Sequence, residues 1–214
     1  MSRQVFCLLF LIVSFSAATV WGYGYARAED PLLTAFKAVI FYGKKPNWKR
    51  VKKEAEGISD RFEDVRVIFD IDLKPMVDEA IKRQDLQVLA KLMANLVFLA
   101  IKEKHYYNNQ ENLGILVRSR VRLRIAEEYY TMLLAGNVME YDRRHGTHLH
   151  DKIIDSFARA RPTLGSLGFF GAGGVKPRPK EFDKLVTDIE KALLRAFPYF
   201  MAGKEVSEAL SSRE

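Results

Sequence analysis

Apolar residues recur every three or four positions along most of the chain, with short polar breaks between the runs, and that period predicts one helix after another. The clearest run is Trp48, Val51, Ala55, Ile58, Phe62, Val65 and Phe69, whose steps of 3, 4, 3, 4, 3 and 4 lay one apolar seam along a single helix. Such a seam packs at a shallow angle against a neighbouring helix. Asp72 and Pro75 are expected to end or kink it. Upstream, Asp30-Pro31 reads as a cap followed by proline at the first helical position. Leu32, Leu33, Phe36, Val39 and Ile40 then share a face, and Gly43 closes that helix. Pro46-Asn47 restarts the chain, with Asn47 as the next cap.

A third helix is expected from about Met76 to Tyr107. Its middle, Leu86 to Ile101, is apolar nearly all round and marks a central helix. Gln87, Lys91 and Asn95 interrupt that run, which argues against a membrane span. Asn108 and Glu111 stand at capping-box spacing and predict a stop and restart. The fourth helix is expected to place Leu113, Leu116, Val117, Val121, Ile125, Tyr129, Met132 and Leu133 on one face, ending at Gly136-Asn137 or Gly146. A fifth runs from Thr147 to Pro162 with Ile153, Ile154 and Phe157 inward. After a glycine- and proline-rich stretch, Pro179 opens a last helix lined by Phe182, Leu185, Val186, Ile189, Leu193 and Phe197, and Pro198 ends it. No strand-like alternation of useful length occurs. The short connections near residues 44–46, 73–75 and 108 imply antiparallel neighbours. The expected fold is therefore all-α, an up-and-down antiparallel helical bundle of five to six helices.

The first segment reads as an address rather than as part of the fold. Arg3 precedes an uncharged run from Val5 to Trp21, and Ala26-Arg27-Ala28 supplies small residues where a signal peptidase cleaves. Cleavage near Ala28 predicts a periplasmic or secreted protein; the alternative is an N-terminal membrane anchor. The domain plan is thus 1–28 signal peptide, 29–161 helical bundle, 162–180 loop, 181–200 C-terminal helix packing on the bundle, and 201–214 polar tail. Cleavage removes Cys7, the single cysteine of the chain. What remains has no thiol for a disulfide, a thiolate metal site, a nucleophile or a Cys-x-x-Cys-His haem attachment. A cysteine-free, lysine-rich export product fits a bacterial periplasm.

With 48% apolar and 29% charged residues in 214, the composition is that of a globular protein, and it excludes collagen, a disordered tail and a polytopic membrane protein. The formal net charge of +7 turns attention to acidic partners. Lys44, Lys45, Lys49, Arg50, Lys52 and Lys53 gather at the start of the second helix, where positive charge runs against the helix dipole. This cluster is either a solvated face or a contact for anionic lipid or an acidic protein; export argues against nucleic acid. Arg118, Arg120, Arg122 and Arg124 alternate by two, which splits them over opposite sides of the fourth helix.

Three of the four histidines, His145, His148 and His150, fall within six residues, flanked by Asp142 and Asp151. Neutral imidazoles and carboxylates together suit a divalent transition metal, and Gly146 lets the chain bend so that the two halves converge. The spacing matches no strict metal motif. The plainer reading is an interhelical turn whose histidines cap helix ends, with Thr147 as the cap residue. His105 stands beside Tyr106 and Tyr107; either it or His145, with Met93, Met132 or Met139, offers the ligand pair of a b-type haem bundle. Glu127 and Glu128 lack the Glu-x-x-His partners of a di-iron site, and Glu128 is expected to pair with Arg124. The string Gly165 to Gly174 lacks the Gly-Lys-Ser/Thr of a phosphate loop. Phe169 and Phe170 within it read as residues tucked onto the bundle or as a greasy contact. No serine sits in Gly-x-Ser-x-Gly, and no catalytic set emerges.

The expectation is a non-enzymatic exported helical-bundle binding protein that meets a protein partner in the cell envelope. In its leading form it coordinates a divalent transition metal through His145, His148, His150, Asp142 and Asp151. The alternatives are a metal-free scaffold, using the basic start of the second helix and the Phe169–Phe170 loop, and a b-type haem electron-transfer bundle.

Overall fold

A computed structural model describes residues 30–167 and 173–203. Among them the chain is all-helical: α1 Pro31–Lys44, α2 Trp48–Glu56, α3 Ser59–Phe69, α4 Lys74–Lys82, α5 Leu86–Gln110, α6 Leu116–Tyr129, α7 Ala135–His145, α8 Leu149–Thr163 and α9 Pro179–Ala196. A π-helical turn, Tyr130–Leu134, joins α6 to α7 without a break. The only sheet-like pairing in the described residues is one antiparallel bridge between Ser166 and Val175. The predicted signal peptide with Cys7, the polar tail from Lys204 onward and the Phe169–Phe170 pair lie outside the described residues.

The local reasons for these elements are those of the sequence. The Asp30 carboxylate accepts from Leu32 N–H at 2.9 Å and starts α1 at its proline. Asn47 accepts from Arg50 N–H at 3.2 Å and starts α2. The seam predicted for one helix is divided between α2 and α3, because the chain tightens at Gly57 and Ile58. The seam survives the break: Val51, Ala55, Ile58, Phe62, Val65 and Phe69 are all buried, and only Trp48 is half-exposed. The run ends at Asp70, whose left-handed backbone (φ 57°) closes α3, rather than at Asp72 or Pro75; Pro75 sits in the first turn of α4.

The third predicted helix is also two. Gln84 turns left-handed (φ 57°), and Asp85 then caps a new helix by accepting from Val88 N–H at 2.9 Å. That helix, α5, is the axis of the molecule. Leu89, Met93, Leu96, Val97, Phe98, Leu99 and Ile101 are fully buried, and α5 packs against α1, α3, α4, α6, the π turn and α9. The predicted restart at Asn108–Glu111 moves downstream. Asn108 stays helical and buried, and Asn112 and Leu113 make the turn with positive φ. Asn108 Nδ2 donates to the Ser119 carbonyl, tying α5 to α6.

On α6 the predicted inner face is corrected. Val117, Val121 and Met132 face outward, with Val117 68% exposed, while Ser119, Leu123, Ala126, Tyr129 and Tyr130 are buried. The π turn adds a residue to the helix and brings both tyrosines inward in succession. Helix α9 lies along α8 and is lined by the residues predicted for it. The chain beyond α9 returns to α5. Asn95 donates to the Met201 carbonyl at 3.0 Å and accepts from its N–H at 2.9 Å, and Phe200 stacks on Phe98.

Candidate binding groove

The histidine-rich corner is built by Asp142. This residue lies in the last turn of α7, and its carboxylate reaches across Gly146 to the next helix. Oδ1 accepts from the Thr147 hydroxyl and from Leu149 N–H at 2.9 Å, and Oδ2 accepts from His150 N–H at 2.8 Å. Desolvation works to raise its pKa. The donors on His150, Thr147 and Leu149 outweigh that and hold the carboxyl below its ordinary range. Gly146 makes the corner with φ 63°. His145 Nδ1 donates to the Tyr141 carbonyl at 2.9 Å, and its ring stacks on Tyr141. His150 Nδ1 lies 2.7 Å from the Tyr130 hydroxyl, whose pKa burial, together with Asp142 and Asp151, pushes upward. His148 and Asp151 point to solvent. The five predicted ligands therefore share one corner, where the Asp142 carboxylate, His145 Nδ1 and His150 Nδ1 are engaged locally while His148 and Asp151 face solvent. Among the described residues no group of three or more His, Cys, Asp or Glu side chains is placed to hold a metal ion.

His105 lies deep in the fold between Phe157 and Phe182, with Nδ1 2.9 Å from a Glu190 oxygen. Its Nδ1 thus faces a carboxylate. Met93 is buried in the core, and Met132 and Met139 are exposed. On α6, Glu128 pairs with Arg124 at 3.7 Å, as the four-residue spacing predicts.

The alternating arginines of α6 divide as expected, and the division makes a site. Arg118 and Arg122 turn to one side and hold Glu111. Arg120 and Arg124 turn to the other, towards the end of α8. There Pro162 lies in the last helical turn, and Gly165 takes φ 81°, a conformation that favours glycine. A Cβ at Gly165 would lie 2.5 Å from the Val175 carbonyl oxygen, so only glycine lets the two strands of the loop close. The Ser166–Val175 bridge and a 2.7 Å bond from Arg178 N–H to the Thr163 carbonyl pin the rest. The glycine- and proline-rich loop is thus held at both described ends.

Between α6 and this pinned loop lies a groove of about 770 Å³. Leu123, Pro162, Leu164 and Val175 give it apolar walls, and four arginines, Arg120, Arg124, Arg161 and Arg178, also line it. Among the described residues the one carboxylate in the lining is Glu127, which accepts from Arg161. Glu128 and Glu181 stand outside and pair with Arg124 and Arg178. Arg120 donates to the Gly165 carbonyl at 3.1 Å, and among the described residues no carboxylate pairs with it. Guanidinium is a permanent, weakly hydrated cation with a planar fork that fits carboxylate or phosphate. The arrangement can hold an anionic group above an apolar floor. Sequence reasoning found the α6 arginines but not the groove, since Arg161 and Arg178 reach it only through the packing of α8 and the loop.

Among the described residues no helix is long and apolar enough to cross a membrane. No family model, curated protein or solved structure matches the chain.

Proposed function

We propose that this chain is a non-enzymatic binding protein of the cell envelope, built as an antiparallel helical bundle, whose groove between α6 and the α8–α9 loop takes an amphipathic anion. The envelope assignment rests on the leader-like pattern before Asp30. The ligand class rests on one observation, four arginines lining an apolar groove, with Arg120 paired to no carboxylate among the described residues. The groove volume falls in the range of roughly 300–1,000 Å³ typical of small-molecule sites. Its titratable side chains are four guanidiniums and a carboxylate already engaged by Arg161, which supports holding charge rather than moving protons. The histidine corner does not enter this reading, because among the described residues its side chains form no group of three or more placed to hold a metal ion.

Calorimetric titration with dodecyl phosphate, kept below its micelle concentration, tests the proposal against uncharged dodecyl maltoside. Saturable binding of the phosphate at one site is expected, with little for the maltoside. Losing hydrogen bonds to a charged group costs about 1.5–3 kcal/mol, so an Arg120→Ala/Arg124→Ala variant is expected to bind at least about tenfold more weakly. No saturable binding, equal binding of the two amphiphiles, or an unchanged double variant refutes it.

A further inference from the structure

We infer that the corner between α1 and α2 is a docking surface for an anionic lipid bilayer. The inference stands on a different part of the molecule from the groove and does not depend on it. Residues 31–53 contain no aspartate or glutamate, yet this segment carries a dense run of lysine and arginine. The fold gathers that run at one place. Helix α1 ends at Lys44, the chain turns through Lys45 to Asn47, and α2 returns along α1 with Lys49, Arg50, Lys52 and Lys53 on its outside. All six of these cations are exposed, while Val51 and Ala55 on the other side of α2 are buried. Lys52 reaches Glu56 at 3.7 Å; among the described residues, Lys44, Lys45, Lys49 and Lys53 make no ion pair.

Two features separate this surface from an ordinary solvated face. The first is its cost to the helix: α2 has no acidic residue in its first turn and places Lys49 and Arg50 there, against the dipole. The second is its aromatic content. Phe41 is 51% exposed, packs edge-on against Tyr42 at 5.2 Å and lies beneath the Lys45 ammonium at 4.1 Å. The Arg50 guanidinium lies 5.4 Å from the Tyr42 ring, and Trp48, half-buried against the core, opens α2. An outward phenylalanine among lysines, with Tyr and Trp behind it, suits a bilayer interface, where rings sit at headgroup depth and cations meet lipid phosphates. A polyanion without an apolar layer would use the lysines and leave Phe41 in water. The charge complementarity and the exposed ring together favour an anionic membrane as the occupant.

Co-sedimentation of the full chain with lipid vesicles tests this. One set is phosphatidylcholine alone; the other contains about 30 mol % phosphatidylglycerol, enough to give a negative surface potential. The leader is common to the parent and its variants, so the difference between parent and charge-removed variant on the anionic vesicles isolates the charged corner. Partitioning is expected to be stronger on the anionic vesicles and to fall steeply with added salt. Each basic residue near such a surface is worth about a fivefold change in partitioning. A Lys44→Gln/Lys45→Gln/Lys49→Gln/Lys53→Gln variant is therefore expected to lose at least about a hundredfold. Phe41→Ser, which removes no charge, is expected to lose several-fold on anionic vesicles, and the salt titration of the unaltered protein checks the electrostatic part without any substitution. The proposal is overturned by equal partitioning onto the two vesicle types, by salt-independent binding, by a quadruple variant that partitions like the parent, or by binding to duplex DNA as tight as to anionic vesicles.

Discussion

Replacing Asp142 by alanine removes the single acceptor that joins α7 to α8. Three donors lose their partner at once, Leu149 N–H, His150 N–H and the Thr147 hydroxyl. Removing an ordinary capping side chain costs about 0.5–2 kcal/mol. With three donors converging, the upper end of about 2 kcal/mol is expected. In a protein of this size that lowers Tm by roughly 4–8 °C. Asp142→Asn keeps a neutral acceptor but gives up the charge at the start of α8, where the dipole favours it, so about half that loss is expected after solvent screening. The pH dependence has a definite sign. The folded carboxyl titrates below the ordinary aspartate range, held there by its three donors. Its contribution is therefore fully present above about pH 4, the unfolded value, and is lost as pH falls through the lowered folded value. Thermal melts by circular dichroism at neutral pH and near pH 3, with Asp142→Asn beside the parent, read this directly. The Tm gap is expected to be widest at neutral pH and to close under acid. A gap that does not change with pH, or an alanine variant that melts with the parent, refutes the capping account of this corner.

Three further outcomes follow from the packing. Gly165→Ala, with φ 81° and a Cβ colliding with the Val175 carbonyl, is expected to cost at least about 1 kcal/mol and to weaken dodecyl phosphate binding; denaturant titration and calorimetry check the two effects. Asn95→Ala removes both bonds to Met201 from a buried position and is expected to cost about 2–4 kcal/mol in urea unfolding, with hydrogen exchange rising first at residues 197–203. On α6, Leu123→Ala is expected to cost about 2–4 kcal/mol, whereas Val117→Ser stays within about 0.5 kcal/mol; equal losses would show that the helix faces are assigned wrongly.

The seam from Val51 to Phe69 was legible because a 3-4 step pattern has one physical use, burial along a helix. The break at Gly57–Ile58 was not, since a turn that keeps the same residues inward leaves the pattern unchanged. The α6 face misled for a related reason. Valines and a methionine on its outer side share the helical period with the buried row, and Ser119 and Ala126 in that row carry little hydrophobic signal. The π turn then shifts the phase between Tyr129 and Leu134, which no fixed period anticipates. The histidine cluster gave density without direction: which way each imidazole points depends on the Asp142 cap and on Tyr130 and Tyr141.

The amino-acid order alone determined the all-helical class, the caps at Asp30 and Asn47 and the core rows of α2–α3 and α9, because backbone hydrogen bonds and apolar spacing act over a few residues. It also determined the surplus of positive charge before Glu54. The folded arrangement decided which cations meet. Arg120 and Arg124 face Arg161 and Arg178 only after α8 and the glycine-closed loop pack against α6, and Lys45 reaches the Phe41 ring only where the corner between α1 and α2 is made. Hydrophobic burial fixes that packing without regard to the charges it carries to the surface, so a site assembled from distant segments is a consequence of the fold that local spacing does not contain.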